Sequence, residues 1–178
     1  MRSTHVPQQV GLYDPAYEHD ACGTGFVASI DGVASHQIVQ WAVQCVCNVT
    51  HRGALSADAK TGDGAGILTT IPHQLFAKVL NELKVAPVAP GDLAVGVFFF
   101  PQDPTPCARA KAIAEEAITD CHVTLLGWRE VPIDPSVLGE KALHTLPVIT
   151  HALLGRPNTI LPQEFERQLR EDLLVDKL

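Results

Sequence analysis

The stretch Leu93-Ala-Val-Gly-Val-Phe-Phe-Phe100 carries no charge and is built of β-branched, aromatic and small apolar residues, so it reads as a strand. Working outward, Pro72 opens a helix on the N-terminal side whose apolar face is Leu75, Phe76, Val79, Leu80 and Leu83. Pro87 and Pro90 break that pattern before the strand begins. On the C-terminal side, Thr105 as N-cap with Pro106 at the first helical position opens an Ala-rich helix through Ile113, Ala114, Ala117 and Ile118. An extended Val123-Thr-Leu-Leu-Gly-Trp128 follows.

Further out, residues 22–30 read as a strand that stops at the turn pair Asp31-Gly32. Ser35 is placed to cap a helix in which Ile38, Ala42, Cys45 and Val49, with Trp41 and Val46 beside them, form one buried stripe up to Gly53. An Asp/Gly/Thr-rich loop from Ala57 to Gly66 feeds a second strand, Ile67–Ile71. Beyond Pro132 come a short helix around Leu138–Leu143, a strand from Pro147 to Leu154, and a polar helix from Pro162 to Leu178. Alternating strands and helices point to an α/β fold with a parallel sheet by the usual rule, although a mixed or antiparallel sheet fits the same string.

Composition bounds the function. The 178 residues hold 13 Lys+Arg against 20 Asp+Glu, a net charge of −7, with 46% hydrophobic residues. That suits one domain or a piece of a larger one, with enough apolar residues to fill a core. An acidic chain without basic blocks lacks the face that a phosphate backbone demands, so no nucleic-acid partner is expected. Residues 93–100 form the longest apolar run, well short of the ~20 residues that span a bilayer, so no membrane partner is expected either. The first 21 residues hold no apolar signal core, which makes the cytoplasm the expected compartment.

Five cysteines at positions 22, 45, 47, 107 and 121 show no CxxC spacing, and the eight histidines show no HxxxH or HExxH, so no metal site is assigned. Cys45 and Cys47 are two apart on a helix and point about 200° away from each other, as core or surface thiols. Gly62-Asp63-Gly64-Ala65-Gly66 lacks the Lys-Ser/Thr of a phosphate loop and precedes a strand, so it reads as a turn. Cys22 is the informative thiol. It sits at a strand start after the charged Glu18-His19-Asp20, and Gly23, Thr24 and Gly25 leave room for close approach. Taken alone, it also fits the role of a small buried hydrophobe.

Leu12-Tyr13-Asp14-Pro15-Ala16, Glu18-His19-Asp20-Ala21-Cys22-Gly23 and Gly25-Phe26-Val27-Ala28 form one block. Thr50-His51-Arg52-Gly53-Ala54, Ala57-Asp58, Thr61-Gly62-Asp63-Gly64-Ala65-Gly66-Ile67-Leu68 and Ile71-Pro72-His73 form another. Together they resemble the N-terminal region of the glutamate synthase large-subunit family, densely from about Gly11 to Phe76 and more loosely to about Arg167. The resemblance implies a class II glutamine amidotransferase of the N-terminal nucleophile kind. It implies a propeptide over residues 1–21, cut at Ala21–Cys22, and an amidotransferase domain begun by residues 22–178. The implied fold is a four-layer αββα sandwich with a mostly antiparallel sheet, here incomplete.

The implied chemistry has a physical basis. Cleavage would give Cys22 a free α-amino group of pKa near ~8 beside a thiol near ~8.5, so one residue supplies base and nucleophile. The thiolate would attack the amide carbon of L-glutamine, release ammonia, and leave a γ-glutamyl thioester for water to hydrolyse to glutamate. Asp20 and His19 either assist the cleavage or keep the propeptide solvated. In the family an Arg in a block equivalent to His51-Arg52-Gly53 lies close to the nucleophile, which makes Arg52 and Gly53 candidate substrate-binding residues. Arg52 before a C′ Gly53 equally suits a helix C-terminus.

The resemblance also places outside these residues the Arg that grips the glutamine carboxylate, the Asn-Gly oxyanion pair and the Asp that holds the substrate amine. The sequence contains no Asn-Gly. Lacking one oxyanion donor lowers the rate by roughly 10²–10³, so the chain by itself is expected to be a poor glutaminase. Glu171–Leu178 departs from the family pattern, which implies a truncated or split reading frame. FMN and the iron–sulfur cluster belong to later domains of the family, as does the use of the ammonia on 2-oxoglutarate; no cofactor is expected in this chain. The implied partners are L-glutamine and the missing remainder of the synthase chain. The competing expectation is a non-catalytic remnant or interaction module that retains part of the fold.

Overall fold

Strand β1 (Leu93–Phe100) forms because its alternate side chains meet two different apolar layers. Leu93 and Val95 lie against Phe76, Val79 and Leu80 of helix α2 (His73–Glu82), whereas Ala94 and Phe98 lie against Ala117 and Ile118 of helix α3 (Pro104–Asp120). The computed structural model describes residues 23–49, 60, 62, 64–161, 164, 165 and 167. It divides into two compact units, residues 1–68 and 69–178.

In the second unit, strands β2 (Thr124–Glu130) and β3 (Val148–Gly155) complete a three-stranded sheet in the order β1-β3-β2. Both outer strands run antiparallel to β3, from Leu93↔Gly155 to Phe100↔Val148 on one side and from Thr124↔Gly155 to Glu130↔Thr150 on the other. β1 and β2 are therefore parallel to each other, joined by the α3 crossover, and separated by β3, the last strand among the described residues. This corrects the parallel sheet drawn from alternation: the neighbour of β1 comes from some fifty residues further on, not from the next strand. The result is a mixed α/β unit with a small antiparallel sheet and a helix on each face.

β3 carries the core. Ala152 and Leu154 face α3 with Cys121, Val123 and Phe165, and Leu153 faces α2 with Leu80 and Leu93. A bulge between Leu125 and Gly127 keeps both faces of β2 apolar, sending Leu125 and Trp128 to the α3 side and Leu126 to the α2 side. A Cβ on Gly127 would stand 2.9 Å from Leu83 Cδ1, so a larger residue there would have to push that side chain aside. Trp128 stacks edge-on to Phe98 and Phe100, donates Nε1–H to Glu115 Oε1 at 2.7 Å, and lies under Lys111 Nζ at 5.0 Å.

Both ends of the β1–β3 pair are stitched by polar groups. Arg156 donates its backbone N–H to Asp92 O at 2.8 Å and Nε–H to Asp92 Oδ1 at 2.6 Å, and its guanidinium also donates to Ile160 O. At the other end Gln102 Nε2 donates to Leu146 O at 2.6 Å.

Helix α3 begins two residues earlier than the sequence reading, with Pro104 at its first position and Asp103 as cap, Oδ1 accepting from Thr105 N at 3.2 Å. Asp103 is the stronger cap because its carboxylate both accepts this hydrogen bond and complements the helix dipole. Replacing Asp103 by Ala is expected to lower the stability of this unit by about 1 kcal/mol, read from the urea midpoint. The short helix α4 (Glu140–Thr145) follows a 3₁₀ turn, Pro135–Val137. Glu164, Phe165 and Arg167 are helical, with Phe165 buried in the α3-side core; the remainder of the expected helix Pro162–Leu178 lies outside the described residues.

The first unit differs in kind. Helix α1 (His36–Asn48) forms where the apolar period and Ser35 place it, yet none of its residues is buried. The half-buried side is Ile38, Val39, Ala42 and Val46, while Cys45, expected in the stripe, is exposed with Cys47. The described parts of the two expected strands, residues 23–29 and 67–70, have no regular structure. Phe26 is 93% exposed and Leu68 fully so. A strand exists only when its amides and carbonyls find a partner, and no described residue pairs with either segment. Among the described residues of this unit, none is buried.

Candidate functional site

The sequence places the chemistry at Cys22, with the cleaved bond at Ala21–Cys22 and Arg52 and Gly53 beside it. All four residues lie outside the described residues, as do His19 and Asp20. The described backbone next to the nucleophile, Gly23–Ser29, is open: nothing stands within 4 Å of a Cβ built on Gly25. Gly64, in the loop after the Arg52 block, takes φ +85°, the left-handed conformation its Gly-Asp-Gly setting anticipates.

Elsewhere the described residues offer little that could replace this site. No group of three or more His, Cys, Asp or Glu that could hold a metal occurs among them, and no described helix is long and apolar enough to cross a membrane. An open groove of about 350 Å³ is lined by Phe99–Gln102 and His144–Pro147. The Gln102 amide in it is already engaged with the Leu143 and Leu146 carbonyls, and the Thr145 hydroxyl donates to the carbonyls of Lys141 and Ala142 in its own helix. The described cysteines are scattered: Cys45 and Cys47 exposed on α1, Cys107 half-buried at the start of α3, and Cys121 buried at its end.

The sequence reading missed one polar cluster. Arg129 on β2 and His151 on β3 are cross-strand partners, with Arg129 Nη1 donating to His151 Nδ1 at 3.3 Å. Phe76 of α2 meets the imidazole edge-on at 5.6 Å. Burial, then the guanidinium, hold the His151 pKa below its usual value. The unfolded chain therefore binds this proton more readily than the folded one, so His151 favours folding fully only above the ordinary pKa of about 6.5. That stability is lost as pH falls through the ordinary value toward the lowered one. Between about pH 7.5 and 5.5 the urea midpoint is expected to fall more in the parent protein than in His151→Gln, whose amide keeps an acceptor for Arg129 without titrating. Equal pH dependence in the two would contradict this assignment. Nothing in local sequence links Arg129 to His151, because their meeting depends on the β2–β3 register.

Comparison with known proteins supplies what the described geometry does not. A family model described as glutamine amidotransferases class-II matches residues 22–171. The chain is similar to a glutamate synthase [NADH] of Schizosaccharomyces pombe, 40% identical over 144 residues, which is 81% of this chain and 7% of the relative. It is also 40% identical over 153 residues to the ferredoxin-dependent glutamate synthase 2 of Synechocystis, covering 85% of this chain and 10% of that one. The glutamate synthase [NADPH] large chain of Azospirillum brasilense is 39% identical over 160 residues, 88% of this chain and 10% of the relative. The chain thus spans no more than about a tenth of these relatives' length.

Proposed function

Because the chain belongs to the class II glutamine amidotransferases, we propose that it is the nucleophile-bearing part of a glutaminase, hydrolysing L-glutamine to glutamate and ammonia through Cys22. The observation that carries this reading is the family match over residues 22–171, whose first matched residue is the proposed nucleophile itself. Removal of residues 1–21 gives Cys22 its α-amino group. That amine takes the thiol proton, the thiolate attacks the glutamine carboxamide carbon, and the same proton leaves with the ammonia. Water then cleaves the γ-glutamyl thioester. Arg52 supplies a guanidinium for a carboxylate or local carbonyls near the thiol. The complete domain is a four-layer αββα sandwich, and the ammonia passes to later domains, which hold the FMN and iron–sulfur cluster and act on 2-oxoglutarate.

A second reading, a non-catalytic module that retains part of the fold, is favoured by one observation. The described residues of the first unit bury none of their apolar side chains, so the nucleophile end has no core of its own among them. The two readings separate on the intact mass of the purified chain. Loss of residues 1–21, with an added mass on Cys22 after treatment with an electrophilic glutamine analogue, is the expected result. Retention of the Ala21–Cys22 bond, with no labelling of Cys22, selects the module.

A further inference from the structure

Arg129, His151 and Val97 make one row across β2, β3 and β1, each the cross-strand partner of the next. Cross-strand partners project from the same side of a sheet, so the three lie on the face that also carries Leu93 and Val95. Helix α2 buries Leu93 and Leu153 on that face and reaches His151 through the Phe76 ring. Beside this row Val97 and Phe99 are 52% and 66% exposed, and Ile149, the partner of Phe99, is half-buried.

The charge on this face is unbalanced. Arg129 is half-buried, it donates to His151 Nδ1 at 3.3 Å, and no carboxylate of a described residue stands within 4.0 Å of it. A guanidinium only donates, so Nδ1 accepts and the neutral imidazole carries its proton on Nε2. Thr150 Oγ1 is the one buried side-chain oxygen or nitrogen left without a partner among the described residues. The remaining donors of Arg129 and His151 therefore reach the surface instead of being sealed beneath it.

A guanidinium partly withdrawn from water attracts an opposite charge more strongly than one in bulk solvent. Carboxylate oxygens match its planar donors, with the Nε2 proton as a further donor on the same face. Val97 and Phe99 favour an apolar body attached to that carboxylate, because covering them removes apolar surface from water. A free α-amino acid fits poorly, since its ammonium would stand close to the guanidinium.

We infer that Arg129 and His151 form a binding site for a small carboxylate with an apolar tail, the carboxylate on the guanidinium and the tail over Val97 and Phe99. The site lies wholly in the second unit and does not rest on the Cys22 reading.

Hexanoate is the probe, followed by the side-chain resonances of His151 and Val97 in the whole chain. At about pH 7.5, where the imidazole is neutral, hexanoate should shift both saturably. Acetate, which has the charge without the tail, should bind roughly tenfold more weakly, and hexan-1-ol should leave the His151 ring unmoved. Arg129→Gln should weaken hexanoate by about tenfold or more. Because Arg129 is half-buried, Val97→Glu serves as a second variant at an exposed position. Its carboxylate should compete for Arg129 and remove hexanoate binding while the amides of β3 stay protected from exchange. The absence of a saturable shift up to about 50 mM hexanoate would overturn the inference, as would equal shifts from hexan-1-ol or undiminished binding by both variants. So would His151 shifts that grow with protein concentration in the absence of hexanoate, since these put a carboxylate of a second copy on Arg129.

Discussion

Replacing Leu153 by Ala is expected to remove about 2–5 kcal/mol from the stability of the second unit. Leu153 is fully buried at the centre of β3, paired with Val95 on one side and Gly127 on the other, and packed with Phe76, Val79, Leu80 and Leu93. Truncating it removes the apolar transfer term and leaves a cavity that a strand tied on both edges cannot collapse to fill. Domains of this size are stabilised by about 5–15 kcal/mol in total, so the variant is expected to approach the unfolding transition in water. The urea midpoint followed by far-ultraviolet circular dichroism measures this, with the exposed Val97→Ala as reference at about 0.5 kcal/mol or less. A Leu153→Ala loss no larger than that of Val97→Ala would mean that β3 is not the packed centre of the unit.

Replacing Cys22 by Ala is expected to have the largest effect on chemistry. If the thiolate forms the thioester, no other group can stand in for it, and glutamine hydrolysis should fall on the order of 10⁴–10⁶-fold, as when other covalent nucleophiles are removed. The loss should appear in kcat. Since the resemblance places the oxyanion donors outside these residues, the comparison belongs in the chain fused to the corresponding following segment of the Synechocystis relative, where the rate to be lost is expected to be higher. Cys45→Ala and Cys47→Ala, both exposed on α1, should leave the rate unchanged. Equal hydrolysis by the Cys22→Ala variant and its parent would end the nucleophile reading without touching the family assignment. Arg52→Ala separates from both, since loss of a substrate contact raises KM more than it lowers kcat.

The local elements were legible wherever neighbouring residues decide them. α1, α2, α3 and β1 lie close to where periodicity and punctuation put them, because capping, proline and an apolar stripe act within a few residues. The start of α3 moved by two residues because two prolines, Pro104 and Pro106, each suit a first turn, and only the Asp103 carboxylate decides between them. Residues 22–30 and 67–71 carry strand-like side chains, yet a strand is a relation between two segments, and no described residue supplies the second.

The candidate site was legible by resemblance, not by geometry. Cys22 stands out because its block and the His51-Arg52-Gly53 block occur together, and the match over residues 22–171 agrees with that family. The Arg129–His151–Phe76 cluster was invisible, since it joins three elements whose registers the sequence does not state.

By itself, then, the sequence determined helices α1, α2 and α3, the strand segments β1, β2 and β3, and the family, all of which rest on short-range pattern or shared motifs. Tertiary structure alone decided the β1-β3-β2 order, the antiparallel pairing and the two-sided burial of β3. The physical reason is that a strand's side chains specify how far each face is buried but not which neighbour completes its hydrogen bonds. That choice is made by long-range packing, in which Ala152, Leu153 and Leu154 fill the space between two helices, α2 and α3, that lie well before them in the sequence.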